Sequence, residues 1–138
     1  MMYQSHNEEE TKQIARRFAS TLKGGETVFL KGDLGTGKTT FVRGVAEYFG
    51  FGGVVRSPTF TIMNRYSIDQ GPIKVILHMD FYRIEDPSEF TALALEEELG
   101  RPDTIAFIEW PEKDTQQFVF ATYQIHFSCT GSIHEIEY

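Results

Sequence analysis

A three-layer α/β fold, with helices flanking a mostly parallel sheet, is predicted by three features of this chain. Strand-like and helix-like segments alternate along most of its length. Gly32 to Thr39 joins one strand to one helix through a glycine-rich turn. Two short hydrophobic runs, Val75 to Met79 and Ile105 to Ile108, each end abruptly in a carboxylate, Asp80 and Glu109. Unbroken apolar runs of this length belong to strands covered on both faces, and the carboxyl ends of such strands open on a shared crevice.

Each element has a local reason. Asn7-Glu8-Glu9-Glu10 places a capping side chain before a helix, with Glu at the third helical position and Ile14, Phe18 and Leu22 on one face. Gly24-Gly25 is expected to end it. Glu26 to Lys31 reads as a buried strand, and Lys38 to Phe49 as the helix after the glycine-rich turn, closed by Gly50 and Gly52-Gly53. Thr59 to Tyr66 and Ile73 to Met79 flank the turn Asp69-Gln70-Gly71-Pro72 and predict an inserted hairpin. Asp86-Pro87-Ser88-Glu89 opens a further helix, with an Asp cap and Pro at the first position, expected to run to Leu99 before Gly100. Thr104 to Trp110 is a short strand. Phe118 to Ser128 and Ile133 to Tyr138 meet at Thr130-Gly131-Ser132 as a terminal hairpin, giving the sheet antiparallel edges.

The composition narrows the class. The 138 residues show no repeat, linker or low-complexity stretch, so residues 1–138 are expected to form a single domain. With 41% hydrophobic and 14% aromatic residues, the chain has the makings of a core. No apolar run approaches the ~20 residues of a membrane span, and the polar start is not a signal peptide, so a cytoplasmic protein without membrane contact is expected. The single cysteine, Cys129, excludes an internal disulfide and a Cys-based zinc site. Sharing parity with Tyr123, Ile125 and Phe127, it is expected to be a small core hydrophobe. The net charge of −7 is uneven: residues 1–83 hold eleven Lys/Arg against eight Asp/Glu, and residues 84–138 hold two against twelve. Cations thus gather in the half that carries the glycine-rich turn, as a polyanionic ligand favours. The acidic half argues against an autonomous grip on nucleic acid and suits a solvated face or a basic protein partner.

Gly32-Asp33-Leu34-Gly35-Thr36-Gly37-Lys38-Thr39, followed by Thr40, is a complete phosphate-binding loop, G-x-x-x-x-G-K-[ST]. Its glycines allow backbone N–H groups to wrap a phosphate, Lys38 sets a cation on the β- and γ-phosphates, and the Thr39 hydroxyl can ligate Mg²⁺. The following helix adds its positive N-terminal dipole. The fold expected is therefore that of the P-loop NTPases. Hydrolysis also needs a carboxylate near the metal, a group to orient water and a counter to developing charge. Asp80 fits the first role as the acid ending a hydrophobic strand, or it simply terminates the strand. Glu109 repeats that geometry as a second metal or water contact, or lies at a solvent-exposed strand end. Thr59, within Arg56-Ser57-Pro58-Thr59-Phe60-Thr61, could close over the γ-phosphate as switch loops do, or belong to an ordinary Ser-Pro turn. Arg83 could stabilise charge or pair with Glu85 or Asp86. His78 reads as a core or surface histidine and Trp110 as a packing residue at the rim. No guanine-reading N-K-x-D occurs, which favours ATP over GTP.

Together, the loop, Ser57-Pro58-Thr59-Phe60, His78-Met79-Asp80-Phe81-Tyr82-Arg83 and Ile108-Glu109-Trp110-Pro111-Glu112 closely resemble the bacterial TsaE (YjeE) family. That resemblance covers essentially the whole chain. It implies an ATPase of tRNA threonylcarbamoyladenosine biosynthesis that does not itself transfer the threonylcarbamoyl group. It implies docking on the TsaB–TsaD heterodimer, with tRNA met only indirectly through the complex. It also implies that Lys38 and Thr39 bind phosphate and Mg²⁺, that Asp80 and Glu109 serve metal and hydrolysis, and that Thr59 belongs to a switch-like loop. The first helix and the acidic later half become candidate partner surfaces. Met79 stands where the family commonly has an aromatic. Two rivals use the same loop: a small-molecule kinase, for which no Arg-rich lid is visible, and a nucleotide-gated binding module.

Overall fold

The structure, a computed structural model, describes residues 1–117 and 119–138. Its elements in chain order are β1 (Met2–Ser5), α1 (Glu8–Ala19), β2 (Thr27–Lys31), α2 (Lys38–Tyr48), β3 (Met63–Ser67) and β4 (Val75–Asp80). They continue with α3 (Ser88–Ala92), α4 (Leu95–Glu98), β5 (Thr104–Glu109), β6 (Tyr123–Thr130) and β7 (Ile133–Glu137). All the strands join one sheet in the order β1-β7-β6-β2-β5-β4-β3. The four central strands β6, β2, β5 and β4 run parallel, β7 and β3 run antiparallel to them on either side, and β1 pairs antiparallel with β7. The mixed sheet with antiparallel edges is the one expected.

Period-two alternation sorts the core into two layers. Val28, Leu30, Ile76, Ile105 and Phe107 face α1 and α2 and pack with Ile14, Phe18, Phe41, Val42 and Val45. Leu77, Met79, Ala106 and Ile108 point the other way, toward Phe90 and Leu95 of α3 and α4. This parity positions the site. His78 and Asp80 share the face of Ile76, and Glu109 shares that of Phe107, so all three side chains lie on the α2 side at the carboxyl ends of their strands.

Several local expectations are corrected. Ahead of α1, Met2–Ser5 forms a strand not expected from the sequence, β1, paired with β7. The Asn7 cap holds, its side chain accepting the Glu10 N–H at 2.8 Å, yet α1 ends at Ala19 rather than at Gly24. The segment expected as one helix to Leu99 breaks into α3 and α4 at Ala94, whose φ is +50°. Residues Thr59 to Thr61 form a turn instead of the start of β3, closed by the Ile62 N–H on the Pro58 carbonyl at 2.7 Å. The terminal hairpin forms as β6 and β7, and β6 also pairs in parallel with β2. It starts at Tyr123; Phe118, where it was expected to begin, lies outside the described residues. Cys129 is exposed, not a core hydrophobe. The alternation holds for the buried Ile125 and Phe127 but does not bury Cys129 near the end of the strand.

Candidate functional site

The glycine-rich loop leaves the end of β2 and enters α2, and its geometry depends on its glycines. Gly32 has a φ of +151°, and a Cβ there would stand 2.5 Å from the Phe127 carbonyl oxygen. Gly37, the N-cap of α2, has a φ of +104°. Such backbone is cheap only without a Cβ. The Thr36 hydroxyl donates to the Asp33 carbonyl at 2.7 Å and closes the turn, leaving Asp33, Leu34 and Gly35 exposed. Lys38, the first residue of α2, is only 4% exposed. Its ammonium donates to the Gly32 carbonyl, lies 3.7 Å from Glu109 Oε1 and sits 5.0 Å from the centroid of the Trp110 ring. A buried ammonium requires such partners, since desolvation without them is costly.

Two carboxylates stand side by side, Asp80 opposite Glu109 in the β4–β5 register. Their surroundings differ. Asp80 Oδ1 accepts the Tyr82 N–H at 2.8 Å, and Oδ2 accepts the Thr59 hydroxyl at 3.1 Å. Thr59 in turn lies 2.8 Å from the Ser57 hydroxyl, so the Ser57–Thr59 turn is pinned across Asp80. Glu109 faces the loop with Oε1, toward Lys38, while Oε2 is 2.6 Å from Nε2 of the fully buried His78. Behind His78, Nδ1 lies 3.5 Å from the Tyr66 hydroxyl. Burial, more than any other influence, pushes the Tyr66 phenol above its usual value, and the Glu109 charge adds to the rise.

A cavity of about 470 Å³ opens over the loop, lined by Leu34, Gly35, Gly37, Lys38, Thr39 and Thr40, together with Glu109 and Ser57. Its remaining wall was not foreseen: Asn7, Glu8 and Thr11 from the start of α1, and His134 from β7. His134 Nδ1 is 3.0 Å from the Thr36 carbonyl, so the last strand braces the loop directly. Asn7 signals a helix start in the sequence, but no local signal puts that start beside the loop. Asp80 and Thr59 do not line this cavity; they form their own pair beside it, and Asp80 is 3% exposed. Trp110 packs against Tyr82 at 5.0 Å and does not itself line the cavity. Arg83 stacks on the exposed Phe60 ring at 4.2 Å and does not line the cavity. A larger groove, about 600 Å³, lies at the other end of the sheet between Thr27, Phe90, Leu95 and Phe120 and holds no phosphate-loop residue.

The donor set suits Mg²⁺ accompanied by phosphate. Among the described residues no three His, Cys, Asp or Glu side chains converge as an all-protein metal cage. What the cavity and its margin offer are oxygens, the Thr39 hydroxyl and the carboxylates of Glu109 and Asp80. Mg²⁺ commonly takes one or two carboxylates and completes its shell with water and phosphate oxygens.

Fold and loop together define an α/β protein of the P-loop NTPase-like class. Its family follows from comparison with known proteins. A sequence model described as "Threonylcarbamoyl adenosine biosynthesis protein TsaE" matches residues 5–135. The chain belongs to the TsaE family, which acts in tRNA threonylcarbamoyladenosine biosynthesis. The tRNA threonylcarbamoyladenosine biosynthesis protein TsaE of Bacillus subtilis is 39% identical over 131 residues, spanning 95% of this chain and 79% of its own. Its counterpart in Rickettsia bellii is 44% identical over 108 residues, 78% of this chain and 72% of that one. The counterpart in Aquifex aeolicus is 39% identical over 112 residues, 78% and 74% of the two chains. The crystal structure of Bacillus subtilis YdiB superposes with a TM-score of 0.73 at 32% identity, covering 99% of this chain and 82% of that one. No helix among the described residues is long and apolar enough to cross a membrane.

Proposed function

We propose that this protein is a Mg²⁺-dependent ATPase that supports tRNA threonylcarbamoyladenosine formation together with TsaB and TsaD. The observation that carries the reading is the convergence of the buried Lys38 ammonium and Glu109 Oε1, 3.7 Å apart, on one wall of the cavity above the glycine-rich loop. A fixed cation beside a fixed carboxylate, at the N-terminus of a helix, suits a site that binds phosphate and directs water at it.

In hydrolysis a water oxygen bonds to the γ-phosphorus, the bridge to the β-phosphate breaks, and the water's proton ends on the phosphate products or solvent. Lys38 counters charge on the β- and γ-phosphate oxygens, shifting its hydrogen bonds from the Gly32 carbonyl toward the ligand. Glu109 Oε1 accepts a hydrogen bond from the attacking water and aligns it. Thr59 and Asp80 set the position of the Ser57–Thr59 turn at the cavity edge. Bound Mg²⁺, held by Thr39 and Glu109 with Asp80 close by, would neutralise phosphate charge. Most of the catalysis is thus positioning and electrostatics, and no covalent intermediate is required.

Turnover is expected to be slow for the chain alone and faster with TsaB–TsaD, as for a compact NTPase whose site is completed by a partner. The test measures phosphate release from ATP and Mg²⁺ with and without TsaB–TsaD, alongside Asp80→Ala. Strong turnover that the partners leave unchanged would sink the coupled role. Transfer of the γ-phosphate to an added acceptor, without free phosphate, would point instead to a kinase.

A further inference from the structure

His78 is the one fully buried imidazole among the described residues, and the hydrolytic scheme above gives it no task. Its surroundings are more specific than those of a core histidine that has merely found partners. Nε2 holds Glu109 Oε2 at 2.6 Å, on the side of the carboxylate turned away from Lys38. The proton in that contact can sit on either partner; in both arrangements Oε2 is engaged, and Oε1 is the oxygen presented to Lys38 and the cavity. On the other side of the ring, Nδ1 reaches the Tyr66 hydroxyl at 3.5 Å, the long end of hydrogen-bond range. Tyr66 is 5% exposed and bonded to both backbone groups of Arg56, donating to its carbonyl at 3.1 Å and accepting from its N–H at 3.3 Å. Asn64 adds a second donor to the same carbonyl at 3.0 Å. Arg56 immediately precedes Ser57, which lines the cavity, and Thr59, which bonds Asp80. A continuous chain of contacts therefore runs from the backbone of the exposed Arg56 through the buried Tyr66 and His78 to Glu109, and from Glu109 to Lys38.

We propose that His78 is a positioning residue that fixes Glu109 with Oε1 toward the phosphate cavity, and that Tyr66 couples this orientation to the Arg56–Thr59 segment. The inference rests on the hydrolytic reading of the site and adds to it a route by which movement of that segment reaches the water-directing carboxylate. A glutamate side chain has three torsions, the last of which rotates the carboxylate, and one anchored oxygen removes most of that freedom before substrate arrives. Partners of this kind, one bond behind the reacting group, are commonly worth 10–100-fold in activity.

The experiment uses the full chain with excess protein over ATP and Mg²⁺, measuring the single-turnover hydrolysis rate and the dissociation constant for ATP separately. His78→Gln keeps a donor where Nε2 stood, whereas His78→Asn keeps one only where Nδ1 stood. We expect His78→Asn to slow hydrolysis by about 10–100-fold with ATP affinity nearly unchanged, and His78→Gln to recover most of the rate. Tyr66→Phe should slow it less than His78→Asn. An independent readout is the His78 Nε2 imidazole signal in ¹⁵N-histidine-labelled protein, whose shift should differ from that of a solvated imidazole and should move toward it in Glu109→Ala. Wild-type rates in both His78→Asn and Tyr66→Phe would overturn the proposal. So would equal losses in the Asn and Gln variants accompanied by weakened ATP binding, the signature of a purely structural histidine. Should His78→Asn not fold, the Gln and Phe variants with the imidazole signal decide. A wild-type chain that binds ATP but never cleaves it removes the hydrolytic reading itself, and the imidazole signal then reports separately whether the His78–Glu109 contact exists.

Discussion

Gly32 shows how much of the site is set by single atoms. With a φ of +151° and a virtual Cβ 2.5 Å from the Phe127 carbonyl, the position admits no side chain without moving β6. Gly32→Ala is expected to destabilise the fold by about 1–3 kcal/mol and to weaken nucleotide binding, read by thermal unfolding and ligand titration. Lys38→Ala should remove hydrolysis altogether in a phosphate-release assay, because no other described cation lines the cavity; an unaltered rate would take Lys38 out of the site. Asn7→Ala removes the cap on the Glu10 N–H and should cost about 1 kcal/mol in denaturant unfolding. The proposed phosphate-binding role of Lys38 is suggested by spacing alone. The exposure of Cys129 is not, because parity reports the side a residue faces and not whether anything covers that side.

At the scale of elements, the two helices behind the loop meet at a point where only glycine fits. Gly44 of α2 would place a Cβ 2.8 Å from the Ala15 Cβ and 2.9 Å from the Lys12 Cα of α1. Gly44→Ala is therefore expected to cost about 1–3 kcal/mol by overpacking, with the loop tilted as α2 shifts; a variant as stable as wild type would show that the helices can separate freely. Caps, hydrophobic runs and glycines made α1, β2, α2, β4 and β5 readable in the sequence, because those signals act over a few residues. The break at Ala94 and the turn at Thr59 to Thr61 were not, since each answers to packing and hydrogen bonding beyond its own window. Likewise Glu109 could be read as a strand-end acid, but its pairing with His78 appears only when β4 and β5 lie in register.

Over the whole molecule, the two ends of the chain close one side of the sheet. β1 pairs with β7, the Met1 ammonium donates to the Tyr138 carbonyl at 2.7 Å, and Tyr3 stacks on Tyr138 at 5.3 Å. Burial, followed by the hydrogen bond with Tyr3, raises the Tyr138 phenol well above its ordinary value. The native state then holds that proton more tightly than the unfolded chain, so stability should fall as pH rises past the unfolded tyrosine value of about 10. Tyr138→Phe should flatten that alkaline decline in denaturant titrations. Because β7 also carries His134 to the Thr36 carbonyl, loosening this edge should weaken nucleotide binding as well as stability.

The sequence by itself determined the glycine-rich loop between β2 and α2, the class of sheet and the acids at its strand ends, because each depends on contacts between near neighbours or on a simple period. Only the tertiary structure decided that α1 and β7 wall the cavity, that Asp80 is covered by Thr59 while Glu109 faces Lys38, and that His78 stands behind Glu109. Those relations join residues tens of positions apart, and they exist only once strand register and helix packing have fixed the distances.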